Sequence, residues 1–365
     1  MRIAQVAPLF ESVPPKLYGG TERIVSWLTE ELVRLGHDVT LFASGDSMTT
    51  ARLVAGCPQS LRLNPQCVDQ LAHHINMLQA VVGEKDNFDL IHFHIDYLHF
   101  PLSRQARLPN VSTLHGRLDI PDLAPVYRTF SDMPVVSISH AQRTPLPWAN
   151  WQGTVHHGLR EDSLAFYGEP GQYLAFLGRT SPEKGLDQAI KIAKRVGMPL
   201  KVAAKIDRVD EPYFEAVIKP LLNHPLIEFV GEIGYAEKNE FLGNAAALLF
   251  PINWPEPFGI VMIEAMACGT PVIAYPFGSV LEVIENGVTG FLVRDVKSAA
   301  HAVEKLSKID RAQCRQRFEE RFTLARMTQE YLAIYDRIVR GGPDPLLPTN
   351  GDLSWTKLVS PSSTT

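Results

Sequence analysis

The sequence is poor in cysteine. Its four cysteines, Cys57, Cys67, Cys268 and Cys314, show no C-x-x-C spacing, which speaks against a disulfide framework and suggests a reducing compartment. Long apolar runs are missing as well. No eighteen apolar residues follow one another, so no membrane-crossing helix is expected. The opening MRIAQVAPLF has too short an apolar core for a secretory signal, and the chain reads as cytoplasmic. Positive charge is not in excess: 35 Lys and Arg against 40 Asp and Glu leave a net charge of -5. That balance argues against a nucleic-acid binder, whose contact face needs a basic domain. There is no G-x-G-x-x-G after the first strand, and the first loop is too long for that turn, which sets aside a dinucleotide enzyme. Nor is there an Asp-x-Asp pair next to a strand end.

What is present suffices for two cores. A chain of 365 residues with 45% hydrophobic content exceeds what one core usually supports, so two domains are expected. The most informative stretch is 245–293. The run 245–250 is apolar without alternation, as in a parallel strand covered on both faces, and Pro251 ends it. A loop follows, then Gly259 opens a helix over 260–268. Gly269 supplies a left-handed C-terminal position, and Pro271 prevents the helix from resuming before a strand at 271–275.

Two carboxylates stand out there. The helical neighbours of Glu264 are Ile260, Val261, Ala267 and Cys268, all apolar, so it lies on a buried or half-buried face and needs a partner; an ordinary buried ion pair would also meet that need. Glu256 lies just outside the carboxyl end of a strand, beside a helix start where the N-H groups of Phe258, Gly259 and Ile260 offer an anion site. A solvated loop charge is the plainer alternative for Glu256.

The first half alternates strands and helices: strands at 2–7, 38–43, 88–93, 111–115 and 135–139, and helices beginning after Gly20 and over 68–82. Residues 49–64 show no period and read as irregular. The loop Tyr18-Gly19-Gly20-Thr21 lets backbone approach a ligand at a helix N-terminus, although a glycine pair before a helix is often only a turn. His115, followed by Gly116, stands at a strand's carboxyl end, where open parallel sheets bind ligands. His92 and His94 share a strand face, a metal-ligand geometry in principle, but no third ligand has suitable spacing and no metal is expected. The segment 155–171 carries the passage to a second sheet, with strands at 172–177, 200–204, 227–230, 246–250, 272–275 and 291–293. The loop 178–185, GRTSPEKG, carries Arg179 and Lys184; a guanidinium fork and a mobile ammonium suit an anionic leaving group, while Glu183 pairing with either cation would leave a merely solvated loop. Residues 317–340 are amphipathic and suit one final helix crossing back onto the first domain. The tail from Gly341 has four prolines and no core-forming pattern, and disorder is expected there.

These residues carry a resemblance. E-P-F-G, a second glutamate eight positions after the first, G-T-P-V at 269–272 and N-G-x-T-G at 286–290 resemble the E-x7-E signature of family 4 of the retaining, nucleotide-sugar-dependent glycosyltransferases, and GRTSPEKG resembles that family's G-R-x-x-x-E-K-G loop. The resemblance implies an α/β fold of GT-B architecture, two Rossmann-like domains with parallel sheets facing a cleft. The expected division is 1–160 with the crossing helix at about 325–340, and 161–324. It implies transfer of a hexosyl group from a UDP-, GDP- or ADP-sugar to an acceptor hydroxyl, with retention, no cofactor and no metal. Glu256, His115, Arg179 and Lys184 take the catalytic places: Glu256 and His115 at the transferred sugar, the two cations at the diphosphate. Gly19, Gly20, Phe258, Gly259, Ile260 and Glu264, the last on the ribose, and Ile233 at the base, take those of nucleotide-sugar binding. The acceptor, whether sugar, glycan, lipid-linked glycan or small molecule, would meet first-domain loops such as 64–69 and 96–107. The run IDYLHFPLSRQAR there reads as a helix packed on its own sheet in preference to a membrane-surface segment. A nucleotide-sugar epimerase of the same fold and a catalytically silent binding module are the alternatives.

Overall fold

The computed structural model describes residues 1–17, 19–169 and 171–341, and the account below concerns those residues. Tyr18 and the expected tail beyond Gly341 lie outside them. Seven parallel strands form the first sheet: β1 (Arg2–Val6), β2 (Asp38–Ser44), β3 (Arg52–Cys57), β4 (Leu90–Phe93), β5 (Asn110–Thr113), β6 (Val135–Ser137) and β7 (Trp151–Thr154), in the order 3-2-1-4-5-6-7. Six more form the second: β8 (Tyr173–Arg179), β9 (Leu200–Lys205), β10 (Ile227–Gly231), β11 (Ala245–Phe250), β12 (Val272–Ala274) and β13 (Gly290–Leu292), in the order 10-9-8-11-12-13. Every pairing is parallel. The central strands are buried on both faces, as β4 and β5 are throughout, which is why they read as unbroken apolar runs.

Two strands escape a reading by pattern, and both are edge strands. β3 lies inside 49–64, expected to be irregular; β7 lies at the opposite edge, where no strand was expected. Each is largely half-exposed and so lacks a dense apolar run. Each also carries a glycine where another element presses close. A Cβ on Gly56 would sit 3.0 Å from the Cβ of Met77, and one on Gly153 would sit 3.3 Å from Cδ1 of Ile334. Elsewhere β8 runs two residues further than expected, so Arg179 ends a strand rather than lying in a loop.

The expected single helix over 317–340 is two helices, Arg311–Arg321 and Leu324–Val339. The break has a backbone cause. Leu159 N-H donates to Phe322 O (2.9 Å) and Leu324 N-H to Leu159 O (2.7 Å), which pulls 322–324 out of helical geometry. Thr323 then caps the new helix, its Oγ1 accepting from Arg326 N-H at 3.3 Å. The second helix crosses back to the first sheet, packs on the helix Gly20–Arg34, and buries Tyr331 and Tyr335 completely. One apolar core runs through both halves, joining Ile3 and Leu90 to Phe258, Met262, Phe318 and Phe322. No helix among the described residues is long and apolar enough to cross a membrane.

Candidate active site

The carboxyl ends of the two sheets face one cleft of about 780 Å³. The second half contributes the ends of β8 and β9, the turn after β10, and the loop between β11 and the helix Ile260–Ala267. The first half contributes Gly19 and Gly20, the segment after β4, and His115 with Gly116 after β5.

Glycines fix the second wall. Gly259 has φ 75°, and a Cβ there would meet Met262 Cε at 2.9 Å and Phe250 Cζ at 3.0 Å. Gly185 has φ 72° and leaves no room at all, since a Cβ would lie 2.1 Å from the Pro251 carbonyl oxygen. The loops bearing Lys184 and Glu256 are thereby locked together. The Lys184 ammonium donates to Oε2 of Glu256, the Trp254 indole N-H donates to the same oxygen at 2.9 Å, and the ammonium lies 4.9 Å from the Trp254 ring centre. Glu256 is only 8% exposed, so it is not a solvated loop charge. Trp254 was not singled out from the sequence, since nothing local marks an indole as a carboxylate's partner.

Arg179 sits among three carboxylates, Glu183 (3.2 Å), Asp210 (3.6 Å) and Asp207 (3.7 Å), and Lys205 pairs with Asp207 at 3.1 Å. Burial pushes the Asp210 carboxyl up, and the Arg179 charge pulls it part of the way back. Lys205, Asp207 and Asp210 come from the end of β9 and the turn after it, where no motif or period in the sequence marks them. Glu264 is 2% exposed and has the partner its apolar surroundings demand: Lys238 donates to its Oε1 at 2.8 Å. Lys238 lies 5.4 Å from the Tyr235 ring centre, and from the first half Arg23 stands 4.9 Å over the same ring while Trp27 meets it edge-on at 5.6 Å.

The two helix N-termini approach one another, a Cβ on Gly20 lying 3.4 Å from Ile260 Cδ1. They are not equivalent. Glu22 is buried in the first turn of the helix Gly20–Arg34, its Oε2 3.2 Å from where a Gly19 Cβ would stand, and burial raises its pKa. The helix Ile260–Ala267 has no acidic residue in its first turn, so its free N-H groups are the better anion site. Phe258 is buried beneath this helix start, and Ile233 lines the cleft two residues past the end of β10.

β5 ends at Thr113, so His115 stands two residues beyond the strand rather than on it. Its partner is another imidazole: His115 Nε2 lies 2.9 Å from His94 Nδ1. His94 Nε2 in turn lies 2.8 Å from Gln5 Oε1, Gln5 Nε2 donates to the Tyr335 hydroxyl at 3.2 Å, and that hydroxyl lies 2.6 Å from His92 Nδ1. The buried chain therefore leads from the crossing helix to the cleft. Burial depresses these imidazoles, His92 and His94 well below the usual range and His115 to about 3, so His115 is neutral at physiological pH. The His92 and His94 nitrogens are engaged in these bonds and one to Thr113 Oγ1 (2.7 Å). No cluster of three or more potential ligands suited to a metal occurs among the described residues. Of the loop 96–107, Phe100 is fully buried and the Arg104 guanidinium bonds Thr129 O at 2.8 Å, as in a helix packed on its own domain.

Comparison with known proteins agrees in both halves. Residues 18–168 match the family described as Glycosyltransferase Family 4, and residues 164–322 match Glycosyl transferases group 1. The chain is 25% identical over 394 residues to the alpha-maltose-1-phosphate synthase of Mycolicibacterium smegmatis, spanning 92% of this chain and 99% of that protein. Among solved structures it is similar to a sucrose-phosphate synthase from Thermosynechococcus elongatus, with TM-score 0.78, 19% identity and coverage of 94% and 100% of the two chains. It is also similar to Anabaena HepE, solved in complex with UDP and glucose, with TM-score 0.72, 18% identity and coverage of 92% and 99%.

Proposed function

Since the chain belongs to family 4 of the glycosyltransferases and has their GT-B fold, we propose that it moves a hexosyl group from a nucleoside diphosphate sugar to an acceptor hydroxyl with retention of anomeric configuration. The observation that carries this reading is the convergence on one cleft of Lys184, Glu256 and Trp254, the start of the helix Ile260–Ala267, and a neutral His115. A binding module with no chemistry to perform has no need of a buried ion pair facing a ligand-sized cleft.

In this reading the departing diphosphate lies at the N-terminus of Ile260–Ala267, with Arg179 and Lys184 sharing its charge. Such preorganised donors cost no reorganisation as charge develops. Glu264 accepts from the ribose hydroxyls, Ile233 offers backbone to the base, and Glu256 holds hydroxyls of the transferred sugar. His115, uncharged, hydrogen-bonds that sugar without competing for the diphosphate. Gly19 and Gly20 allow the first half's backbone to close over the donor. Two cations and a helix N-terminus stand where a divalent ion would otherwise serve, so the reaction proceeds without metal.

The experiment is release of free nucleotide from UDP-glucose, GDP-mannose and ADP-glucose, with glucose or glycerol as acceptor. Release from one donor supports the reading. Interconversion of a donor with no acceptor present would instead favour an epimerase, and binding without turnover a silent module.

A further inference from the structure

The first domain also presents a carboxylate to the cleft. Asp96 lies three residues beyond the end of β4, among the cleft-lining residues His94, Ile95, Tyr97 and His115. Its backbone is left-handed at φ 50°, one of two non-glycine residues with positive φ among those described. Such a conformation is uncommon outside glycine, although aspartate tolerates it better than most residues, and the surroundings hold it here. Its Oδ1 is buried with no hydrogen-bond partner, and no cation pairs with it among the described residues. The His115 backbone N-H serves the carboxylate, but a buried oxygen left without a donor is expensive unless something brings it one.

The neighbours decide what that donor is. His94 and His115 are neutral, so they do not compensate a charge at Asp96. Tyr97 and Tyr127 are titratable neighbours on the first domain, Glu22, Arg23, Arg62, His74 and His157 line the same cleft from that side, and Lys184 and Glu256 line it from the second. A phosphate or carboxylate placed against Asp96 would be repelled. A neutral polyol would donate to it.

We propose that Asp96 is the acceptor-side carboxylate: it takes the hydrogen bond of the attacking hydroxyl, and so selects a neutral, hydroxyl-rich acceptor at that position. The inference rests on the glycosyl-transfer reading above. In the transfer the sugar's anomeric carbon exchanges its bond to the diphosphate oxygen for one to the acceptor oxygen, the hydroxyl proton passing to the departing diphosphate. Asp96 orients the hydroxyl until then. Burial pushes its carboxyl up to about 6, against the pull of the His115 backbone N-H, which leaves it ionised and accepting at pH 8.

Asp96→Asn tests this. Asparagine tolerates the left-handed backbone and matches the shape, but one oxygen becomes a donor. Three quantities are read at pH 8: nucleotide release from UDP-glucose, GDP-mannose and ADP-glucose with water, glucose or glycerol as acceptor, the affinity for free UDP, GDP and ADP, and the melting temperature. The expected result is release lowered about 100-fold, the scale of a group that positions a reacting proton. Nucleotide affinity stays within about twofold, and the melting temperature rises because a buried unpaired charge has gone. Release within about threefold of wild type, or a lowered melting temperature such as loss of a paired structural carboxylate gives, overturns the proposal. If wild type releases nucleotide from none of the donors, the transfer reading fails and this inference falls with it. If wild type turns over and the variant keeps pace, the inference alone fails.

Discussion

Lys184 and Glu256, 72 positions apart in the chain, form a nearly buried ion pair at the end of the second sheet, and the Trp254 indole N-H shares the glutamate oxygen. In the proposed transfer, the cation assigned to the diphosphate is thus stored against the carboxylate assigned to the sugar. On that proposal the ammonium turns toward an entering diphosphate while Trp254 keeps Glu256 in place. Truncating either partner leaves the other charge half-desolvated, and that penalty adds to any loss of chemistry.

Arg179→Ala and Lys184→Ala are each expected to lower turnover by about 100-fold or more, the scale seen when one charge-stabilising group is removed. Steady-state rates with the productive donor check this. Two single variants with wild-type turnover would place the diphosphate elsewhere in the cleft.

Stability should fall on mild acidification. His92, His94, His99 and His157 are held well below the usual imidazole range by burial, and His115 at about 3. A depressed folded-state pKa means that the unfolded chain binds more protons below about 6.5, so this stability is complete above that pH and is lost as pH falls through it. Each histidine contributes about 1.4 kcal/mol per pH unit in that window. Asp96, raised to about 6, acts in the opposite direction, as do Glu11, Glu22 and Asp210, also raised by burial; their contribution is present at low pH and lost as pH rises, but the five histidines outnumber them. Melting temperatures at pH 7.5, 6.5 and 5.5 should drop steeply over the last interval. A flat or rising series would mean that the histidines are not buried as neutral groups.

Turnover is expected to survive EDTA, because in the proposed reading Arg179, Lys184 and the start of Ile260–Ala267 take the place of a divalent ion at the diphosphate. Activity abolished by chelation and restored by manganese would contradict this.

Much of this was legible in the residues because burial on both faces leaves an unmistakable signature. The runs at 245–250 and 88–93 announce central parallel strands, and Gly269 with Pro271 marks the end of the helix that follows 245–250. The edge strands β3 and β7 were not legible, since half-exposed strands with a glycine under a packed helix carry neither alternation nor an apolar run. The break at Thr323 was hidden for another reason: its cause is a backbone pairing with Leu159, 164 residues earlier in the chain. For the site, Glu264's need of a partner followed from its apolar helix face, but the identity of Lys238 did not, because the partner comes from another helix. Asp96 was within reach. The rule that drew attention to His115, a polar residue just past a strand's carboxyl end, applies equally to the residues after β4.

The division of labour between the two glutamates is the centre of the account, and one paired measurement tests it most directly: calorimetric affinity for free UDP or GDP, set beside steady-state turnover, in Glu256→Gln and Glu264→Gln. Glu264, buried on its helix and held by Lys238, is assigned to the ribose, so its variant should lose roughly 1.5–3 kcal/mol of nucleotide binding. Glu256 is assigned to the transferred sugar, where a contact strengthens as charge develops, so its variant should bind free nucleotide nearly as wild type does while turnover falls sharply. Equal losses of nucleotide affinity in the two variants would contradict the placement of the sugar beside Glu256.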